Sequence, residues 1–410
     1  MNYSSYEAEP AEPSFYGLGI APGILDILER TKFKVPTPIQ LRAIPLAIAG
    51  NDVIGIAQTG TGKTHSFAIP MVQILMQKKG IGLVLAPTRE LAIQIEEVFR
   101  ELAYPFGLNT ACLIGGAPME GQVSALRKSP RIVIATPGRL IDHISRWNMI
   151  PEEVVMLVLD EADRMLDMGF APQIKMILGS IPKQRQTMLF SATMPKEIMS
   201  IAAQNMKLPV CTEIAPTGTA AEKVTHELFI VKREDKAKLL RQLLDQYRGS
   251  ILLFSRTKYT ACKLARSIRR MGHNASEIHS DRTLEQRRMA LDGFKSGKYR
   301  VLVATDIASR GIDVSGIELV INYDIPEDAN NYVHRIGRTG RAGHKGHAIS
   351  FAMPDQSKDV KNIEELIKIT LPVSKSSEVY SEKFIPALSK TLKKKAKGKF
   401  RRNKLRAGRL

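Results

Sequence analysis

The sequence predicts an α/β protein of two tandem domains, each built on a doubly wound parallel sheet, and three observations carry that reading. Strand-sized apolar runs alternate with segments of helical periodicity along most of the 410 residues. The alternation occurs twice, interrupted by Ala215-Pro216-Thr217-Gly218-Thr219-Ala220-Ala221, which has no periodic pattern. The first run, Val53-Ile54-Gly55-Ile56, leads into Ala57-Gln58-Thr59-Gly60-Thr61-Gly62-Lys63-Thr64 and then into Phe67, Met71, Ile74 and Leu75 at helical spacing. Strand, glycine-bearing loop and helix in that order are the context of a phosphate cradle.

Residues 1–13 are polar with two prolines and read as a disordered N-terminus. Residues 14–213 read as the first domain, with strands expected at 53–56, 82–87, 111–114, 132–135, 154–159 and 187–190. Residues 214–222 read as the interdomain linker. A second domain over 223–372 has strands expected at 228–231, 251–254, 275–279, 301–304, 319–322 and 348–351. Ligands of such sheets lie beyond the carboxyl ends of the strands. Residues 373–410 read as a basic, disordered tail.

Composition narrows the class. No apolar run approaches the ~18 residues that span a bilayer, so no membrane partner is expected. Glu7, Glu9 and Glu12 precede the first basic residue, Arg30, which argues against a secretory or transit leader. Cys112, Cys211 and Cys262 have no paired spacing, which argues against a cysteine-rich zinc site and suits a reducing compartment. The expected location is cytoplasmic, or nucleolar if the source is eukaryotic. The net charge of +19 points to a polyanionic partner, most commonly nucleic acid. Eleven Lys and Arg and no acid lie between Lys390 and Leu410, leaving +8 for the other 389 residues. A solubilising tail and an electrostatic nucleic-acid tether both fit such a run, and the tether is favoured.

The residues that carry chemistry fall at the expected strand ends. In the cradle, Gly60 and Gly62 let backbone N–H groups turn around an anion, and Lys63 and the helix start add positive charge. Thr64 places a hydroxyl where Mg²⁺ beside a triphosphate is held. Ala57 stands where the general pattern has a glycine. Upstream, Phe33 can stack on a base, and Gln40, after Pro36-Thr37-Pro38-Ile39, offers a donor and an acceptor to an adenine edge. The strand 154–159 ends in Asp160-Glu161-Ala162-Asp163. Packed carboxylates repel and need a counter-charge. Mg²⁺ oriented by Asp160 would supply it, with Glu161 as general base toward water; an acidic helix cap is the plainer alternative.

These residues, with further motifs in order, resemble the DEAD-box ATP-dependent RNA helicases over roughly Phe15 to Pro372. The resemblance implies two RecA-like domains, ATP and Mg²⁺ as cofactors, and RNA as partner. Phe33 with 36–40 is similar to the adenine-reading Q motif, with Phe15 at its upstream aromatic. Pro87-Thr88-Arg89-Glu90-Leu91-Ala92, Gly115-Gly116 and Thr136-Pro137-Gly138-Arg139 are similar to RNA-contacting motifs. Their hydroxyls and guanidiniums grip phosphate and sugar, and their glycines allow close approach, so binding is expected to be sequence-tolerant. Ser191-Ala192-Thr193 resembles the motif coupling hydrolysis to strand separation, with Asp163 and His334 implied in the same coupling. In the second domain, Leu253-Phe254-Ser255, the run 304–313 with Thr305, Gly311 and Asp313, and the run 334–341 resemble the fourth to sixth motifs. Thr305 is implied in RNA contact and Gly311 and Asp313 in nucleotide contact. Arg338 and Arg341, three apart and so on one face of a helix, resemble arginine fingers.

The pattern departs from the family at Lys32, Ser280 and Leu284, where it usually has Gly, Gly and Gln; Arg287 still matches as an RNA contact. Hinge closure would complete the ATP site, with RNA and ATP favouring the same closed state. A monomeric, RNA-stimulated ATPase that unwinds short duplexes non-processively is expected, with ribosomal or RNA-decay assemblies as candidate partners. An ATP-gated RNA clamp and a DNA translocase of the same superfamily are the alternatives.

Overall fold

The computed structural model describes residues 13–31, 33–57, 61–214, 224–306, 314, 316–340, 346–375 and 383–384. The sequence expectations for 1–12, 215–223, most of the tail, and Gln58, Thr59, Gly60, Gly311, Asp313 and Arg341 fall outside these residues.

The first domain carries β1 (Val53–Ile56), β2 (Ile81–Leu85), β3 (Thr110–Leu113), β4 (Ile132–Ala135), β5 (Val154–Leu159), β6 (Gln186–Ser191) and β7 (Val210–Glu213). All pair in parallel, in the order β3-β4-β2-β5-β6-β1-β7. Alternate residues of each strand feed opposite faces, as a period of two requires. Val84, Met156 and Val158 join a core with the helices Pro38–Ile48, Lys63–Gln77 and Arg89–Ala103. Leu83, Leu157 and Leu159 join a second core with Pro137–Ser145 and Ala171–Ser180. The sheet is therefore covered on both sides, which is why its strands read as continuous apolar runs.

The second domain carries β8 (Val224–Ile230), β9 (Ile251–Phe254), β10 (Ala275–Ile278), β11 (Val301–Ala304), β12 (Leu319–Asn322) and β13 (Gly346–Ala352), again all parallel, in the order β10-β11-β9-β12-β13-β8. After the last helix, Ser357–Ile367, the chain lies along β8, where the Ser374 N–H donates to the Leu228 carbonyl at 2.8 Å. The domain thus extends past the expected boundary at 372. Among the described residues no helix is long and apolar enough to cross a membrane.

Candidate nucleotide site and nucleic-acid interface

β1 delivers the chain to the cradle at Ala57, whose N–H donates to the Ser191 carbonyl at 3.0 Å. The loop closes at Gly62, the N-cap of Lys63–Gln77, with φ 87°. A side chain there would be strained, and its Cβ would meet Gln40 Nε2 at 2.5 Å. The first turn of the helix has N–H groups with no partner within the helix, and Thr61 and Thr64 at its start are half-buried. Lys63 is buried, and its ammonium spans the loop to donate to the Ala57 carbonyl at 2.9 Å.

Gln40 is locked in place by both ends of its amide. Its Oε1 accepts from the Thr37 N–H at 2.8 Å, and its Nε2 donates to the Gly62 carbonyl at 3.0 Å. Each end keeps one further hydrogen-bonding position, as adenine reading needs. Phe33 is 40% exposed and rests on the His65 ring, centroids 4.2 Å apart, so it presents an open face. Phe15 does not: it is buried in the core beneath, and packing rather than stacking is its role. Burial of His65 pulls its pKa down to about 4. The unfolded chain therefore binds the proton more readily. Stability linked to His65 is complete above about pH 6.5 and is lost as pH falls toward 4, by about 3 kcal/mol. His65→Asn is expected to flatten the fall in melting temperature between pH 7 and pH 4.5.

Asp160 and Glu161 sit at the end of β5, both buried. Burial pushes the Asp160 carboxyl up to about 7, against the pull of Lys63; Glu161 and Asp163 push it further up. A buried carboxylate flanked by acids calls for a cation, and Asp160 with the Thr64 hydroxyl offers the hard oxygen donors that suit Mg²⁺. Glu161 has left-handed backbone, φ 50° and ψ 51°, which is strained for a residue with a Cβ. Its carboxylate lies 3.4 Å from the Arg164 guanidinium. Asp163 turns the other way. One of its oxygens accepts from the Ala192 N–H, the Thr193 N–H and the Thr193 hydroxyl at 3.2, 2.9 and 2.9 Å. The Asp163 N–H in turn donates to Ser191 Oγ at 3.2 Å. The acidic turn after β5 and the Ser191–Thr193 turn after β6 are thereby one unit.

The second domain meets this site. Phe254, Asp306, Asn331, His334, Arg335 and Arg338 line a narrow cavity together with Arg164 of the first domain. Arg335 holds Asp306 in a two-point pair, at 2.5 and 2.7 Å, over the Phe254 ring. The helix carrying His334 ends at Ile336, because Gly337 caps it. Arg338 therefore lies in the following turn, its N–H donating to the Arg335 carbonyl at 3.1 Å, rather than on a helical face as its spacing suggested.

The first domain's remaining motifs collect at the ends of β2, β3 and β4. Thr88 caps the helix Arg89–Ala103, its Oγ1 accepting from the Leu91 N–H at 3.3 Å. Arg89 lies across Gly115 and Gly116, where a Cβ on Gly116 would meet its guanidinium at 2.2 Å. Thr136 and Pro137 open the helix Pro137–Ser145, Gly138 faces open space, and Arg139 donates to the Ala117 carbonyl at 3.1 Å. Thr305 follows β11, its N–H donating to the Ile278 carbonyl at 3.3 Å. Across the domain boundary, Arg287 donates to Glu90 at 2.8 Å, both nearly buried. Leu284 packs against the first domain's core, while Gln286 caps its own helix with Thr283. At the departure at 284 the chain therefore makes an apolar interdomain contact. Glu90, Arg164, Asp306 and Arg335 were missed as site residues; for Glu90 and Arg335, a buried charge inside a motif, which requires a partner, was the available signal.

Residues 37–201 match the family model for DEAD/DEAH box helicases, and residues 235–343 match the helicase conserved C-terminal domain. The chain is 41% identical to the ATP-dependent rRNA helicase RRP3 of Debaryomyces hansenii, over 89% of this chain and 77% of that protein. It is 42% identical to RRP3 of Yarrowia lipolytica, over 82% and 72%. Among solved structures it resembles S. cerevisiae Dbp5 bound to RNA and ADP BeF3, with TM-score 0.79 and 30% identity over 88% of this chain and 95% of that one. It also resembles Mss116 bound to ssRNA and UDP-BeF, with TM-score 0.81 and 27% identity over 88% and 79%. Two RecA-like domains, the acidic turn Asp160–Asp163 and the relatives' identity together place the chain in the DEAD-box ATP-dependent RNA helicase family of superfamily 2.

Proposed function

We propose that the protein couples ATP hydrolysis to local, non-processive unwinding of short RNA duplexes, by closing its two domains over both ligands at once. The observation that carries this reading is a shared cavity and an ion pair across the domain boundary. Arg164 faces His334 and Arg338 on the nucleotide side, and Glu90 meets Arg287 on the side of the RNA-type motifs.

In the closed arrangement Gln40 and Phe33 hold adenine, and Gly62, Lys63 and Thr64 with the helix start hold the phosphates. Asp160 and Thr64 would hold Mg²⁺, which would supply charge neutralisation to the triphosphate. Glu161 takes a proton from the water that attacks the γ-phosphorus as the bond to ADP breaks. Arg338 faces the charge that develops there, a role the resemblance implies for Arg341 as well. Asp163 carries the change to Ser191–Thr193; Thr88, Arg89, Thr136, Arg139 and Thr305 grip the RNA backbone, and Arg287 acts through its pair with Glu90 across the boundary. The names of the relatives favour ribosomal RNA as the substrate and ribosome assembly as the setting, with a monomer acting in the nucleolus or cytoplasm.

Strand displacement tests the reading, using duplexes of increasing length with the full chain and with one ending before Lys390. Yield should fall steeply with length and require RNA. Without the tail, affinity should drop and its salt dependence flatten, with little change in turnover at saturating RNA. ATP-dependent binding without any displacement would favour a clamp instead.

A further inference from the structure

Away from the nucleotide site, three side chains with no part in the proposed mechanism converge at the carboxyl end of β10. Glu277 and its second neighbour His279 lie on one side of the strand, facing the helix Lys258–Arg270 that carries Cys262. The Cys262 Sγ lies 3.0 Å from His279 Nε2, and the ligand atoms of all three residues lie within 4.8 Å of one another. His279 and Glu277 are buried, and Cys262 is half-buried.

The imidazole is poorly compensated for its burial. Its Nδ1 has no hydrogen-bond partner, and its Nε2 faces only a thiol, a weak hydrogen-bonding group. Glu277 is held by Arg269 and Arg282, and Arg282 is about one-third exposed, so it can turn to solvent and leave one carboxylate oxygen vacant.

We propose that Cys262, His279 and Glu277 bind a zinc-class divalent ion, a site distinct from the oxygen-donor site at Asp160 and Thr64. Thiolate and imidazole select borderline-soft metals over Mg²⁺, and three protein ligands with water in the fourth position make an open tetrahedral site. Bond lengths of ~2.3 Å to sulfur and ~2.0 Å to nitrogen set those donors roughly 3.5 Å apart, a small rotamer adjustment from the observed contact. His279 opens the segment that continues through Arg282 to Arg287 and its bridge to the first domain. Metal at this point releases Arg282 and anchors the base of that segment, so it regulates the RNA-side closure.

The test is titration of chelator-stripped full-length protein with Co²⁺, without nucleotide or Mg²⁺. One equivalent should produce a thiolate-to-cobalt charge-transfer band with tetrahedral d–d absorption, reversed by Zn²⁺. Cys262→Ser should abolish the charge-transfer band, and His279→Asn or Glu277→Gln should weaken affinity by roughly tenfold or more. Each variant's melting curve establishes that it is folded. Equimolar Zn²⁺ should change the RNA concentration for half-maximal ATPase in the wild type and not in Cys262→Ser. A missing band, or a band that survives Cys262→Ser, overturns the site. An equal Zn²⁺ response in both proteins overturns its link to RNA.

Discussion

Glu161→Gln is expected to lower ATP turnover by roughly 100- to 10,000-fold while leaving ATP and RNA binding near wild type. The substitution keeps the shape and hydrogen-bonding reach of the side chain and removes only its capacity to accept a proton. Glu161 is suited to that task by position. Glu161 is buried at the end of β5 with left-handed backbone, beside Arg164, while Asp163 is the residue that joins the coupling unit. Holding a non-glycine residue in that conformation costs of order 1–3 kcal/mol. Steady-state ATPase with saturating RNA, alongside equilibrium binding of a non-hydrolysable ATP analogue, separates turnover from binding. A wild-type rate in Glu161→Gln would remove Glu161 from the chemistry.

Glu90→Gln and Arg287→Gln should each reduce the closed population by roughly tenfold to a hundredfold, yet the double variant should lose much less than the two combined. Burial pushes the Glu90 carboxyl up and the Arg287 pKa down, and the attraction of each for the other only partly offsets this. Desolvation leads on both sides, so the pair itself contributes little net attraction. Removing one partner strands a nearly buried charge, which costs about 1–3 kcal/mol; removing both strands none. Because the contact spans the two domains, the melting of each domain should be unchanged. Energy transfer between dyes on the two domains, with RNA and an ATP analogue present, measures closure. Singles that close normally, or a double variant as impaired as the product of the singles, would exclude this role.

Legibility in the sequence followed burial. Val154–Leu159 was placed with both ends correct because a fully buried parallel strand is an unbroken apolar run ended by charge. Val210–Glu213 was not anticipated: it is an edge strand with three of its four residues exposed, so it has no such run. The acidic turn was legible as charge at the end of an apolar strand, and the Ser191–Thr193 turn through the resemblance alone, since it is held by Asp163 from a distant segment. What stayed hidden was what distant segments do to one another. Spacing placed Arg338 on a helix, but Gly337 ends that helix first. Leu284 fits through its packing on the other domain, which its own segment does not reveal, and nothing in the periodicity marks Arg164 as 1% exposed between two domains. Phe15 matched a motif position but belongs to the core.

The central claim is that one closure completes both sites, so ATP and RNA must tighten each other. The most direct measurement is the dissociation constant of a non-hydrolysable ATP analogue with and without saturating single-stranded RNA, and of that RNA with and without the analogue. The two ratios should be equal and well above one, and both should shrink in Arg287→Gln. Ratios of one, with each ligand indifferent to the other, would contradict it.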